Sequence, residues 1–260
     1  MASPVRSRGQ GARSDESPRR WGRILVAVLV LVFAGVAMAG WFDKSEATLV
    51  ELGSPQRILF VNDAGPVMVR TVEDDRVGSG SSLVHADSWL FSRPQVQIES
   101  DLDGVVVRLS CRPRFPCRSS AELVVQPGVE LVVVSTDGLL EVSRFEGDMT
   151  LYGSGRGVVV GPIVGSARIV SDGPIRGFDL FLTELNVLAG AEEVDLTFAR
   201  SPAELTVETG VGPVRLVLPN RQFHLDVETA SEDTQLEVRT SETANRVIVV
   251  RALGPVVVVN

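Results

Sequence analysis

From about residue 47 onward the chain is written in short strings that alternate apolar and polar residues. The strings are punctuated by glycine, Asp-Gly and proline. Val67-Met68-Val69 follows Gly65-Pro66, and Leu139-Leu140-Glu141-Val142 follows Asp137-Gly138. Val194-Asp195-Leu196-Thr197-Phe198 and Val214-Arg215-Leu216-Val217-Leu218 come later. A period of two is that of a strand with one buried and one solvated face, whereas a helix repeats every 3.6 residues. No window beyond residue 47 sustains a helical period, so the expected class is all-β. Valine supplies about one residue in six, glycine 24 residues, and aromatics only 5%. Stiff β-branched side chains suit a pleated surface, and the glycines supply the turns.

The punctuation is quasi-regular. Gly138, Gly157, Gly177, a turn near Glu193, Gly212, Thr234 and Gly254 fall about 16 to 22 residues apart. A period near 20 holding two short strands is the scale of one coil of a parallel β-solenoid. A β-sandwich is the alternative, since its strands recur every 8–12 residues or so. Recurrence of the same order, turn–Gly–x–hydrophobic–x–hydrophobic, favours the solenoid.

Residues 121–143, AELVVQPGVELVVVSTDGLLEVS, carry Pro-Gly-Val, alternating hydrophobics, then Thr-Asp-Gly and another short strand. Together with Phe145–Leu151, Ser171-Asp172-Gly173 and residues 194–229, this order resembles the bacterial putative-adhesin domain. The resemblance spans residues 50–260 and is strongest over 121–229. It implies a β-solenoid of the cell envelope, often tethered to the membrane, with no established catalytic residues. The turns Asp137-Gly138, Gly155-Arg156-Gly157 and Glu232-Asp233 depart from the family's usual Ser-Gly-Asp.

Ahead of the strands, residues 24–42 (ILVAVLVLVFAGVAMAGWF) contain no charge. At 1.5 Å per residue this run matches a hydrocarbon core of about 30 Å. Trp21 and Trp41 stand at its two ends, where amphipathic rings favour the headgroup level. Arg6, Arg8, Arg13, Arg19, Arg20 and Arg23 precede it, while Asp43 and Glu46 follow. The positive-inside bias then makes residues 1–23 a basic, disordered cytoplasmic tail and residues 24–42 a single-pass signal-anchor helix. Residues 43–260 become an extracytoplasmic domain. Cleavage after Ala37-Met38-Ala39 is the rival reading. The apolar run is long for a signal peptide, yet either reading exports the same body.

The net charge is −8, and beyond residue 23 it falls to 19 basic against 31 acidic residues. An acidic body excludes nucleic acid as the natural partner, because phosphate binding needs basic stripes.

Few residues carry chemistry. Cys111 and Cys117 are the sole cysteines, and outside the cytoplasm so close a pair most economically forms a disulfide. A zinc site would need both remote histidines, His85 and His224. His224 alternates with apolar neighbours as a solvent-face strand residue does, and His85 sits near Asp87 and Trp89. Asp101-Leu102-Asp103-Gly104 opens like a calcium loop, but its twelfth position is Arg112, which cannot supply the bidentate carboxylate. It reads as an Asp-Gly turn, and Glu73-Asp74-Asp75 as a solvated loop. No catalytic, metal or cofactor site is expected.

The sequence thus points to a membrane-anchored envelope protein, non-enzymatic, offering a binding or scaffolding surface. A cell-wall polymer, another envelope protein or a second copy would be its partner. A carbohydrate-active glycosidase or lyase is the alternative, and an envelope-stress sensor a third reading. A reporter fused after Asn260 is expected to be active only outside the cytoplasm and to stay with the membrane. A fusion exported but released as soluble protein would instead place cleavage after Ala39.

Overall fold

A computed structural model describes residues 47–63, 65–71, 82–88, 94–101, 104–111 and 119–260. The expected tail over 1–23 and the anchor over 24–42 lie outside these residues. So do Cys117, Asp103 and the acidic residues 73–75.

Among the described residues the chain forms strands and no helix. The strands are β1 (Ala47–Gly53), β2 (Arg57–Asn62), β3 (Val67–Thr71), β4 (Ser82–Ser88), β5 (Pro94–Asp101), β6 (Gly104–Cys111) and β7 (Ser119–Val125). Next come β8 (Glu130–Ser135), β9 (Leu140–Ser143), β10 (Phe145–Gly153), β11 (Val158–Val160), β12 (Ile163–Ser171), β13 (Ile175–Ala189) and β14 (Val194–Phe198). The last are β15 (Glu204–Thr209), β16 (Val214–Val217), β17 (Gln222–Thr229), β18 (Thr234–Glu237), β19 (Arg239–Thr240), β20 (Val247–Ala252) and β21 (Val256–Val259). The class is all-β, as the alternation requires.

Hydrogen bonds arrange the strands as two long ladders. One runs β5, β6, β2, β8, β10, β12, the second half of β13, β15, β20, β17. The other runs β1, β4, β7, β3, β9, β11, the start of β13, β14, β16, β21, β18. Antiparallel pairs are confined to β1–β4, β4–β7 and β5–β6; every other pair in these ladders is parallel. Phe145 lies opposite Ile163, Ile163 opposite Leu180, Glu184 opposite Glu204, and Val194 opposite Val214. Each step is 17 to 20 residues along the chain, close to the period read from the turns.

Because the register is kept, corresponding positions stack in columns. In the first ladder Ile58, Leu131, Met149, Ala167, Leu185, Leu205 and Ile248 form one inward column. Phe60, Val133, Leu151, Ile169, Val187, Val207 and Val250 form the next, and all are buried. Full burial of each such side chain is worth roughly 1.5–3 kcal/mol before ordering costs. A third column is small and polar: Asn62, Ser135, Gly153, Ser171, Ala189, Thr209. These residues end their strands and serve the turns beyond. Asn62 Nδ2 donates to Gly65 O at 2.5 Å, Ser171 Oγ accepts from Gly173 N at 3.1 Å, and Thr209 Oγ1 donates to Gly190 O at 3.3 Å. These three side chains thereby find partners, which burial demands of polar groups.

Chain order and ladder order part company at both ends. β2 and β3 lie between β6–β7 and β8–β9, and β20 and β21 lie between β15–β16 and β17–β18. The valine run Val256–Val259 is hydrogen-bonded on both edges. It is a packing strand, and the end of the ladder is formed by β17 and β18 instead.

Glycine makes one corner possible. Gly147 and Gly165 lie opposite each other in β10 and β12, at φ of 146° and 126°. A Cβ on Gly165 would meet the Gly147 carbonyl. Gly165→Ala is expected to destabilise by about 1–3 kcal/mol, and Ile169→Ala by about 2–5 kcal/mol through the cavity it leaves. Both should lower the urea midpoint, with the denaturant slope unchanged for Ile169→Ala.

Candidate functional site

The outward face of the first ladder carries a run of carboxylates. Strands β8, β10, β12, β13 and β15 present Glu130, Asp148, Ser166, Glu184 and Glu204 at corresponding positions. Beside them runs a second column of Val132, Thr150, Arg168, Asn186 and Thr206. Residues of both columns line a cleft of about 450 Å³, formed by Glu130, Asp148, Thr150, Ser166, Arg168, Glu184, Asn186, Glu204 and Thr206.

Charge along the cleft is only partly compensated. Arg57 Nε lies 3.4 Å from Glu130 Oε1, and Ser166 Oγ donates to Asp148 Oδ1 at 2.5 Å. Glu184 and Glu204 face each other directly across the β13–β15 pair. Like charges set opposite one another weaken a sheet. The second ladder contrasts with this. Its outward column runs Glu141, Val159, Arg176, Asp195 and Arg215, with Arg215 3.6 Å from Asp195 and Arg176 3.6 Å from Glu193.

The third outward column of the first ladder is apolar through Val61, Val134, Tyr152, Val170 and Leu188, then charged at Glu208, Arg251 and Glu228. Tyr152 and Leu188 are 40% and 42% exposed. The cleft therefore has an apolar flank, able to cover the less polar face of an extended ligand.

The residues singled out by sequence do not meet here. His224 is exposed at the start of β17, opposite Val247, while His85 lies in β4 opposite Leu49 and Glu122. Asp101 pairs with Gly104 across the β5–β6 hairpin, in keeping with a turn. Cys111 ends β6, and its expected bond to Cys117 lies outside the described residues. Among the described residues no three His, Cys, Asp or Glu side chains gather as metal ligands. The acidic column was not singled out by sequence, although a signal for it exists. Glu130-Leu-Val-Val, Asp148-Met-Thr-Leu, Glu184-Leu-Asn-Val and Glu204-Leu-Thr-Val each set a carboxylate just ahead of an inward residue.

These features define a class of all-β protein whose parallel, in-register ladders turn repeated positions into surface columns. No family model matches the chain, and no curated protein is significantly similar to it. Solved structures are. A protein of Parabacteroides distasonis described as a putative lipid binding protein is similar over 84% of this chain and 98% of its own, at 13% identity and a TM-score of 0.51. That likeness is one of fold. A putative cell adhesion protein of Clostridium sporogenes matches over 83% and 98% at 14% identity, TM-score 0.36. A putative adhesin of Bacteroides fragilis matches over 84% and 99% at 10% identity, TM-score 0.40. Structures bearing the adhesin description thus stand among those the chain is similar to.

If Glu184 and Glu204 repel, Glu204→Gln should raise the melting temperature by about 1 °C at low salt. The gain should vanish near 1 M salt, where charges are screened within about 3 Å. A gain independent of salt would exclude the electrostatic cause.

Proposed function

We propose that the protein is a membrane-tethered, exported envelope protein whose ladders stack as a β-solenoid and whose acidic cleft binds a cell-wall polymer without cleaving it. The observation that carries this reading is the Glu184–Glu204 juxtaposition within the cleft. Two exposed carboxylates set face to face suit a surface that meets a partner, since binding sites commonly sacrifice stability. Repetition adds to it. Within each column, side chains about 4.8 Å apart offer hydroxyl, amide and carboxylate groups at regular intervals, which suits an extended chain bearing hydroxyl or amine groups. The adhesin description of several similar structures is consistent with a surface role of this kind. The tether rests on the uncharged run at residues 24–42 and the arginines before it.

Co-sedimentation with purified cell-wall glycans tests the reading. The full-length chain in detergent should pellet with the polymer, and Glu130→Gln, Asp148→Asn and Glu184→Gln together should weaken this about tenfold or more. No fragments should be released, with or without calcium. Turnover lost on a single carboxylate substitution would establish a glycosidase or lyase in place of a binder.

A further inference from the structure

The two strand pairs that flank β20 and β21 are themselves one repeat apart. Glu204 faces Val247, which faces His224; Val214 faces Val256, which faces Thr234. Take the middle strands away, and Glu204 meets His224 while Val214 meets Thr234. Both steps are twenty residues, the same step that carries Glu184 to Glu204 and Val194 to Val214. The walls of this slot therefore match each other as well as they match the strands between them.

Side chains agree with the register. With the slot closed, Leu225 would cover Leu205, Val227 would cover Val207, and Leu236 would cover Leu216. Thr209 Oγ1 donates to the carbonyl of Gly190, one residue beyond its opposite number Ala189. Thr229, set opposite Thr209, would meet Gly210 in the same way. Removing an internal strand ordinarily leaves two bare walls of unpaired backbone groups and exposed apolar side chains. Here the walls can close on each other, which lowers the cost of releasing β20 and β21.

Charge favours the filled slot. Arg251 lies 3.6 Å from Glu208 and 3.4 Å from Glu228, in the same outward column. Closing the slot would stack those two glutamates, an unfavourable pairing across neighbouring strands. The slot thus requires a strand pair with inward aliphatics, as at Ile248, Val250, Val256 and Val258, and a cation facing outward between two carboxylates. The segment that meets those requirements is residues 247–259, of this copy or of another. The exposed turn over 241–246 is the link that would have to extend.

We infer that residues 247–259 are an exchangeable strand pair, and that β20 and β21 of one copy fill the slot between β15–β16 and β17–β18 of a second copy. Exchange of an identical element needs no new interface, because every contact already exists within one chain. The inference stands on register and charge, and is independent of the polymer-binding reading.

Cysteine trapping in the full-length chain tests it, with Cys111 and Cys117 replaced by Ser. Thr206 and Val249 are opposite one another on the outward face, as are Arg215 and Val257 on the other ladder. Two tagged copies, one T206C and the other V249C, are co-expressed and oxidised, and the R215C and V257C copies likewise. A disulfide-linked heterodimer is expected for both pairs, at several times the yield of T206C with M68C, whose positions lie on different ladders. Adding Arg251→Glu to the V249C copy should lower the yield several-fold. The same cysteine pairs placed within one chain show that each bond can form. If both bonds form within one chain while neither links two copies above the T206C–M68C baseline, exchange does not occur and the inference is overturned.

Discussion

Parallel in-register hydrogen bonding is the constraint from which the rest of this structure follows. Each strand lies about 4.8 Å from the next, and the register sets Leu131, Met149, Ala167, Leu185 and Leu205 in one line. A side chain in such a line lies beside its counterparts in the neighbouring strands. The core is therefore a bundle of columns in which adjacent residues must agree in volume. Met149 and Ala167 stand side by side in that line, and both are buried. A one-residue slip would turn every column inside out.

The same constraint shapes the surface, where consequences differ between the two ladders. On one, Arg176, Asp195 and Arg215 alternate in sign from repeat to repeat, and Arg215 lies close to Asp195. On the other, carboxylates recur at the same position, and register brings Glu184 against Glu204. Exposed ion pairs contribute little individually, about 0–1 kcal/mol, so neither pattern is needed for folding. The difference is a matter of what each face presents to its surroundings.

Both ends of the ladders depart from simple succession. β20 and β21 enter one place inward from their end, whereas β2 and β3 lie third and fourth from theirs, behind β5–β6 and β1–β4–β7. At the C-terminal end this leaves β18 with all four residues exposed and Leu236 46% accessible. Asp226, Glu228 and Glu237 stand on these outer strands, and charge on an edge discourages unintended pairing with other strands. The antiparallel β5–β6 and β1–β4 pairs give the opposite end a different character.

The amino-acid sequence by itself determined the strand class, the inward residues and the approximate period. Alternation of valine and leucine with polar residues is a local property that leaves no helical alternative. Its turns are equally local: Asp137-Gly138 and Gly155-Arg156-Gly157 need conformations that glycine supplies, and Gly138 and Gly157 have φ of 99° and 92°. Tertiary structure alone decided which strands lie side by side. The step from Val214 to Thr234 fits the period so well that direct pairing of β16 with β18 is what the spacing invites, yet β21 lies between them. Likewise the run of Glu130, Asp148, Glu184 and Glu204 becomes a column only once the ladder is assembled. The physical reason is the same in both cases. Spacing fixes which residue of a repeat faces which, but the order of repeats depends on the free energy of contacts between segments distant in the chain.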